Sequence, residues 1–313
     1  RYIAKLLTHL EDIEGSHTFF VFLTKRNWNA YHPNDKRFVK VCVDIHWYSF
    51  AEQCIMPLIL LAYRLDLVHF PHMNVPLAYP RRFVVTIHDL ILLKHPLSAT
   101  SASSTRHPIV HQIKYQCYRF VIAAAVRRAI HIIAVSQSTK DDIVSLLGQK
   151  SEKITVILEG ADPLPSGIPC ALLEPYAGRT FFFRAGNAYP HKNVEGLLSA
   201  FRELHTLYPD VQLLLCGQED FFQRRIVALI DEMKLGTAVV HLGSVSDECL
   251  SWLYSHAIAY VFPSFEEGFG LPAIEAFLAE CPVLAANIPV LREVCGTAAL
   301  YFDPSSSLDL LES

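Results

Sequence analysis

The amino-acid sequence has no long apolar run and no strongly basic stretch. Its longest apolar runs, residues 55–63 and 120–126, fall well short of the roughly 18 residues that a membrane-spanning helix needs. No lysine or arginine run exceeds two residues, and the net charge is −4. Because nucleic acid attracts proteins through clustered positive charge, we expect a protein that neither spans a bilayer nor binds nucleic acid.

Paired cysteines and metal-ligand patterns are also missing. The eight cysteines are scattered without any C-x-x-C pair, and several fall within apolar runs, which predicts reduced core residues in a cytoplasmic protein. The sequence contains no D-x-D motif and no His or Cys cluster with the spacing of a metal site. We therefore expect no metal ion and no bound cofactor. Lysine side chains, backbone amides and helix ends would have to balance the negative charge of a ligand.

What the sequence does contain is a regular alternation of short apolar runs with amphipathic ones. Hydrophobic residues make up 51% of the chain and charged residues 19%, as in a globular protein with many buried strands. The alternation is typical of parallel strands joined by helices. The predicted strands are residues 19–23, 38–43, 67–70, 83–87, 130–135 and 154–158 in the first half, and 180–185, 211–216, 239–242, 258–262, 283–286 and 298–302 in the second.

The two halves meet at residues 160–178, which hold four prolines, three glycines and no clear period. The 313 residues also exceed the size at which a single core usually keeps growing. We therefore predict an α/β protein with two Rossmann-like, doubly wound domains, residues 1–165 and 166–313. Because a helical pattern follows Arg1 directly and the sequence stops soon after its last strand, we expect a first strand and a final helix to lie outside it.

Capping residues predict two helix starts. A helix capped by Ser138 would end at Gly148, and Asn193 would cap a second helix whose apolar residues share one face. The stretch 96–108 is rich in Ser and Thr and has no element of its own. It is predicted to be a loop, the kind of segment that often carries function.

The strongest local signal is the strand, turn and helix at residues 265–275, FEEGFGLPAIE. Gly268 and Gly270 let backbone N–H groups approach a ligand at the positive end of the following helix, where a diphosphate binds well. Glu267 in the turn and Glu275 inside the helix offer carboxylates that accept hydrogen bonds from sugar and ribose hydroxyls.

Two other interpretations of this segment stay open. It also matches the G-x-G-x-x-A fingerprint of dinucleotide-binding proteins, although it lies late in its domain and no acidic residue ends the next strand. We disfavour hydride transfer for these reasons. The second alternative is an ordinary tight turn whose glutamates are solvated. It is weakened only because other segments of the sequence also indicate a ligand site.

Lys192 and His88 follow other predicted strands and would lie at the same kind of sheet edge. Lys192 could offset the charge of a diphosphate leaving group, or it could be a surface lysine beside a helix cap. His88 could offer a hydrogen bond to a transferred sugar, although a single histidine in such a place is more often structural.

Five segments together resemble GT-B fold glycosyltransferases of family 4, a retaining group that includes bacterial mannosyltransferases. The segments are FPHMNVP at 70–76, VTIHDL at 85–90, IAVS at 133–136, GNAYPHKN at 186–193 and EGFGLP at 267–272. The resemblance covers almost the whole chain and implies two domains that face a cleft. One departure concerns Asn187, where many relatives carry arginine, so that one phosphate contact would be weaker or supplied elsewhere.

The resemblance also implies roles for individual residues. The E-x7-E pair falls on Glu267 and Glu275, with the first contacting the donor hexose and the second the ribose. Lys192 would bind the diphosphate, His88 would lie near the anomeric centre, and Val245 would lie near the base. His88 and Glu267 are thus the catalytic candidates. The remaining donor-binding candidates are Gly186, Asn187, Gly268, Phe269, Gly270 and Leu271.

The expected function is a metal-independent, retaining transfer of a hexose from a nucleotide sugar to a glycan or lipid-linked acceptor. GDP-mannose is the first donor that the resemblance suggests, and UDP-glucose is the second. The protein would be cytoplasmic and would touch the membrane surface peripherally. A sugar-nucleotide epimerase of the same fold and a non-catalytic protein that still binds nucleotide sugars remain alternatives.

Overall fold

The computed structural model describes residues 2–96, 108–165 and 171–312. Strands and helices alternate along these ranges. The strands are β1 (Phe19–Leu23), β2 (Phe38–Cys42), β3 (Val68–Phe70), β4 (Phe83–Ile87), β5 (His131–Ala134), β6 (Ile154–Val156), β7 (Phe181–Ala185), β8 (Gln212–Cys216), β9 (Val239–His241), β10 (Tyr260–Phe262), β11 (Val283–Ala286) and β12 (Leu300–Phe302). The helices are α1 (Tyr2–Glu11), α2 (Phe50–Ala62), α3 (Ile91–Lys94), α4 (Pro108–Arg128), α5 (Gln137–Leu147), α6 (Val194–Leu207), α7 (Phe221–Glu232), α8 (Asp247–His256), α9 (Leu271–Leu278), α10 (Pro289–Cys295) and α11 (Ser307–Glu312).

The predicted strands are all present, and each lies within two residues of its predicted bounds. Parallel strands that are covered on both faces are apolar along their whole length, so the sequence marks them clearly. The α/β class is therefore confirmed.

The chain forms two compact units. The first consists of residues 1–87, 116–133 and 144–155, and the second of residues 88–115, 134–143 and 156–313. The predicted domain boundary at residue 165 remains a prediction.

In the first unit, β1 pairs with β2 in parallel, and β3, β4, β5 and β6 form a separate sheet in that order. The six strands of the first half therefore make two sheets, because no strand among the described residues pairs with both β1 and β3. The aromatic rings of Phe70 and Phe83 meet edge to face at 5.4 Å on β3 and β4.

The second unit contains a six-stranded parallel sheet in the order β12-β11-β10-β7-β8-β9. The chain builds outward from β7 through β8 to β9, then returns to the other side of β7 and continues through β10 to β12. The strand order thus reverses between β7 and β10. In open parallel sheets, ligands bind beyond the carboxyl ends of the strands at such a reversal.

The core of this unit lies between the sheet and its helices. Phe181 and Phe183 on β7 are fully buried, as is Leu214 on β8. Helix α6 buries Val194, Leu197, Leu198 and Phe201 on the face that the sequence predicted.

Of the two predicted N-caps, one is wrong and the other is correct in position only. Helix α5 is capped by Ser136, whose Oγ accepts a hydrogen bond from Thr139 N at 3.0 Å, and not by Ser138. Asn193 stands at the N-cap of α6, as predicted, but it has the left-handed φ of 53° and makes no side-chain cap. Its amide instead donates to the carbonyls of Pro263 and Pro304, at 3.1 and 2.8 Å, because these neighbouring loops leave carbonyls that need a donor.

The expectation of eight reduced core cysteines is also wrong in part. Cys249 is disulfide-bonded, and the free thiols of Cys42, Cys54 and Cys117 are exposed. Most of the predicted loop at 96–108 lies outside the described residues, as do residues 166–170 of the predicted linker. None of the helices in the described ranges is both long and apolar enough to cross a membrane.

Candidate functional site

Two loops lie beyond the carboxyl ends of the strands where the order reverses. The first follows β7 at residues 186–193, and the second follows β10 at residues 263–270. A backbone hydrogen bond of 2.8 Å from Phe265 N to His191 O joins them. Because parallel strands end at one edge of the sheet, residues that are distant in sequence meet here.

Lys192 and Glu267 form an ion pair between the two loops. The Lys192 Nζ lies 2.7 Å from both carboxylate oxygens of Glu267, whose Oε1 also accepts a 2.7 Å hydrogen bond from Ser264 Oγ. The side chains are 18% and 9% exposed, respectively. Partial burial reduces screening by water, so this contact is stronger than a surface ion pair.

Glu266, the residue next to Glu267, binds a different lysine. Its carboxylate pairs with Lys94 Nζ, which also lies 3.1 Å from Asp142. Burial raises the pKa of Lys94's partner Asp142, and the hydrogen bond from Lys94 opposes that shift. The two adjacent glutamates therefore anchor the turn to two separate parts of the chain.

Gly268 lies where backbone segments touch. Its carbonyl accepts hydrogen bonds from Ser136 Oγ at 2.7 Å and from Thr139 Oγ1 at 3.2 Å. A Cβ added at this position would lie 2.1 Å from the carbonyl oxygen of His88. Only glycine fits so close an approach, and the backbone after β4 is thereby held against the turn.

Helix α9 begins directly after this turn. Gly270 stands at its N-cap with a φ of 114°, and Pro272 occupies the second helical position. Phe269 is buried, which fixes the turn from inside. The N–H groups of Gly268, Phe269 and Gly270 donate no hydrogen bond to any described residue. They are therefore available as donors at the positive end of the helix.

His88 is held by Glu159, a residue that the sequence did not mark. The His88 Nδ1 lies 2.7 Å from Glu159 Oε1, and the two side chains are 26% and 10% exposed. A carboxylate only accepts hydrogen bonds, so Nδ1 carries the proton in this contact. The available signal in the sequence was an acidic residue that follows an apolar strand and precedes Gly160.

Asp89 follows His88 and belongs to the same electrostatic cluster. Burial raises the pKa of its carboxyl above the usual range, while the N–H of Ile91 and the charge of Lys192 lower it and the charge of Glu267 raises it. Asp89 therefore lies within electrostatic reach of both Lys192 and Glu267.

Arg184, near the end of β7, is a second cation that the sequence analysis missed. It is 4% exposed and donates hydrogen bonds to the carbonyls of Gly186, at 2.7 Å, and of Asn187. Burial lowers the pKa of its guanidinium, while the charge of Glu267 raises it. An arginine remains charged even so, because the guanidinium group is a very strong base.

The other predicted site residues lie deeper or further along the sheet. Glu275 is buried on α9 and its carboxylate accepts a 3.4 Å hydrogen bond from Tyr254 Oη. Val245 is half-buried between β9 and α8 and packs against the core of the second unit. Leu271 is the first residue of α9. The structure thus brings Lys192, Glu267 and the backbone at Gly268 and His88 together.

Family profiles match both parts of the chain. Residues 1–163 match the profile of Glycosyltransferase Family 4, and residues 173–312 match that of Glycosyl transferases group 1. The chain is 28% identical over 258 residues to the O-antigen chain mannosyltransferase RfbU of Salmonella typhimurium, covering 82% of this chain and 66% of that protein. It is 30% identical over 253 residues to the O-antigen chain mannosyltransferase B of Escherichia coli, covering 78% of this chain and 62% of the relative. The chain thus spans 66% and 62% of the lengths of these two relatives.

Solved structures give the same fold. The sucrose-phosphate synthase of Thermosynechococcus elongatus superposes with a TM-score of 0.69 at 20% identity, covering 94% of this chain and 77% of that one. The HepE protein of Anabaena, solved with UDP and glucose, gives a TM-score of 0.67 at 20% identity, covering 88% and 75%. The glycosyltransferase WaaG gives 0.63 at 17% identity, covering 99% and 83%. These likenesses confirm the GT-B fold class.

Proposed function

Because the chain belongs to Glycosyltransferase Family 4, we propose that it is a retaining, metal-independent glycosyltransferase in polysaccharide biosynthesis. It moves a hexose of the mannose or glucose type from a nucleotide sugar to a glycan or lipid-linked acceptor. The observation that carries this proposal is the Lys192–Glu267 pair, placed where the strand order of the second sheet reverses. This edge is where a parallel α/β sheet binds a nucleotide.

The pair offers complementary chemistry to such a donor. Lys192 supplies positive charge to the diphosphate, which becomes the leaving group, and the unpaired N–H groups at the start of α9 add to it. Glu267 accepts hydrogen bonds from the hexose hydroxyls and orients the sugar. When a donor binds, its phosphate oxygens compete with Glu267 for the Lys192 ammonium, and the carboxylate turns to the sugar.

His88 contributes a polar group at the reacting end. The hydrogen bond that its Nδ1–H donates to Glu159 Oε1 fixes the orientation of the imidazole. We infer that the imidazole lies near the anomeric carbon and hydrogen-bonds to the transferred hexose. The acceptor attacks on the face from which the diphosphate leaves, so that retention needs no protein nucleophile, and Glu267 acts as an orienting group.

We infer that GDP-mannose is the preferred candidate for the donor and that UDP-glucose is the second candidate. The mannosyltransferase names of the two sequence relatives support the first choice, and the UDP and glucose bound to HepE support the second. Glu275 and Val245 are proposed to contact the ribose and the base.

We further infer a cytoplasmic protein in peripheral contact with the membrane where lipid-linked acceptors are found. The O-antigen names of the relatives support a lipid-linked glycan acceptor. Phe50 and Leu58, eight residues apart on α2, expose 92% and 65% of their surface and offer apolar contacts. Flotation of the protein with anionic lipid vesicles tests this part, and a protein that stays at the bottom of the gradient contradicts it.

The donor assignment is tested by thermal shift against GDP-mannose, UDP-glucose and other nucleotide sugars, with Lys192→Ala and Glu267→Gln beside the parent protein. One donor should raise Tm most, and both substitutions should reduce that shift. If the best donor stabilised both variants as well as the parent, the site would be wrong. Product analysis with and without acceptor completes the test, because an epimerase would change the sugar without any acceptor.

A further inference from the structure

Arg184 is a buried cation that, among the described residues, donates hydrogen bonds only to backbone carbonyls. It belongs to β7, the strand beside the reversal of strand order, and only 4% of its surface is exposed. Its acceptors are the carbonyl oxygens of Gly186 and Asn187. Within the described parts of the chain, no carboxylate forms an ion pair with it. Burying an unpaired charge is unfavourable, so a plain structural strand would more readily carry an apolar residue here.

The two carbonyls belong to consecutive peptide groups, and this determines the direction of two N–H groups. The peptide bonds are trans, so the C=O and N–H of one group point in opposite directions. Since the Gly186 and Asn187 carbonyls both point at Arg184, the N–H groups of Asn187 and Ala188 both point away from it. Neither N–H donates a hydrogen bond to any described residue. Two adjacent N–H donors are therefore held ready beyond the end of β7.

Further contacts fix this backbone in place. The Gly186 carbonyl also accepts a hydrogen bond from Gln223 Nε2 at 3.5 Å. The same carbonyl lies so close to Gly217 that a Cβ added to Gly217 would be 2.3 Å from its oxygen. Gly186 itself has a φ of 117°, a conformation that L side chains rarely adopt. The Oδ1 of Asn187 is buried and has no hydrogen-bond partner among the described residues. The backbone of this loop is thus held in a fixed conformation, while the N–H groups of Asn187 and Ala188 and the Oδ1 of Asn187 have no hydrogen-bond partner among the described residues.

We propose that Arg184 is a positioning residue for an anionic ligand: by binding two successive carbonyls it directs the N–H groups of Asn187 and Ala188 at a phosphate of that ligand. The guanidinium polarises both peptide groups and so strengthens the two N–H donors. Consecutive N–H groups of this kind form an anion-binding concavity. Lys192, in the same loop, adds the charge of its side chain, whereas Arg184 acts through the backbone. The identity of the anion as the diphosphate of a nucleotide sugar rests on the proposed function.

Binding measurements on the purified protein test this role, with pyrophosphate, GDP, UDP and the two nucleosides as probes. Arg184→Met should weaken the binding of pyrophosphate and of the preferred diphosphate tenfold or more and leave nucleoside binding within twofold. Arg184→Lys, which keeps the charge on a single nitrogen, should lie in between. The matched control is Arg292→Met, which removes an exposed arginine that stacks on Tyr301, and it should change neither. Equal losses for diphosphate and nucleoside, or no loss for the diphosphate, would overturn the proposal.

A measurement on the unmodified protein covers the case in which Arg184→Met does not fold. Amide hydrogen exchange should slow at Asn187 and Ala188 when pyrophosphate or the diphosphate binds. If a ligand binds and these two amides do not respond, the inference about Arg184 fails while the proposed function stands. If pyrophosphate protects them but no nucleotide sugar binds, the inference stands and the proposed function fails. If none of the probes binds, both are wrong.

Discussion

The imidazole Nδ1 of His88 lies 2.7 Å from the carboxylate Oε1 of Glu159, although 71 residues separate the two in the sequence. Glu159 is 10% exposed, so its carboxylate is held largely out of water beside the ring. A buried acceptor of this kind fixes both the tautomer and the orientation of a histidine.

Replacing Glu159 should therefore affect the chemical step more than donor binding. We expect Glu159→Gln, which can still accept a hydrogen bond, to lower kcat about tenfold, and Glu159→Ala to lower it more, with KM for the donor nearly unchanged. Glu219→Gln alters an exposed glutamate of the same unit and is the control. Steady-state kinetics at several donor concentrations separate kcat from KM. A rise in KM at constant kcat would show that Glu159 supports binding instead.

Lys192 and Glu267 should act as a coupled pair. Lys192→Ala leaves a partly buried carboxylate without its cation, and Glu267→Gln leaves the ammonium free for the diphosphate alone. A double-mutant cycle on the affinity for the donor diphosphate should give a coupling free energy of about 1–3 kcal/mol. Isothermal titration of the parent, both single variants and the double variant provides the four values. Additive effects would mean that the two side chains act independently in the bound state.

Gly268→Ala should disrupt the contact between the turn and the backbone at His88. The added Cβ would fall 2.1 Å from the His88 carbonyl, which is backbone and cannot rotate away. Overpacking of this kind costs about 1–3 kcal/mol of the free energy of unfolding, and it also displaces His88 and the turn. The expected result is a lower Tm and a loss of transfer. Gly236→Ala, where the nearest atom is 3.7 Å away, should leave both unchanged.

His191 should make the stability of the protein depend on pH. Burial, aided by the charge of Lys192, lowers the pKa of this imidazole from 6.5 to about 3. Because the unfolded chain then binds a proton that the folded chain does not, stability is present above pH 6.5 and is lost as pH falls toward 3. Linkage predicts a loss of about 2 kcal/mol in the free energy of unfolding between pH 7 and pH 5.

Urea unfolding at pH 7 and pH 5 measures that difference. His191→Gln should reduce it, and His9→Gln, which changes an exposed side chain of α1, serves as the control. An equal loss of stability with and without His191 would assign the pH dependence to other groups.

The sheets were predictable because their information is local. The strands of the second unit are mainly apolar, with Arg184 on β7 as an exception, and the positions of Lys192 and Glu267 follow from the rule that parallel strands end at one edge. Their expected contacts with a donor remain predictions. The cap of α5 was misplaced by two residues because Ser136 and Ser138 offer the same hydroxyl chemistry, and only the backbone path selects between them.

Glu159 and Arg184 were missed for a different physical reason. Their contacts exist only once the chain has folded, and no spacing in the sequence links Glu159 with His88, which is 71 residues away. Arg184 interrupts the apolar run FFFRA of β7, and that interruption was the available signal of a buried charge. The N-cap position of Asn193 was predicted correctly, but its side-chain partners were not, because a left-handed φ and two distant carbonyls cannot be seen in a capping pattern.

The adjacent residues Glu266 and Glu267 form ion pairs with two different lysines. Glu266 anchors the turn, and Glu267 is the residue that we propose binds the donor sugar. The bond from Glu266 to Lys94 keeps the turn in place whether or not Glu267 retains Lys192. A phosphate that draws Lys192 away thus releases one carboxylate without loosening the loop that carries it. In the proposed donor complex, the leaving group's charge separates Lys192 from Glu267, so we expect an unphosphorylated sugar to meet a carboxylate that is still bound to the lysine.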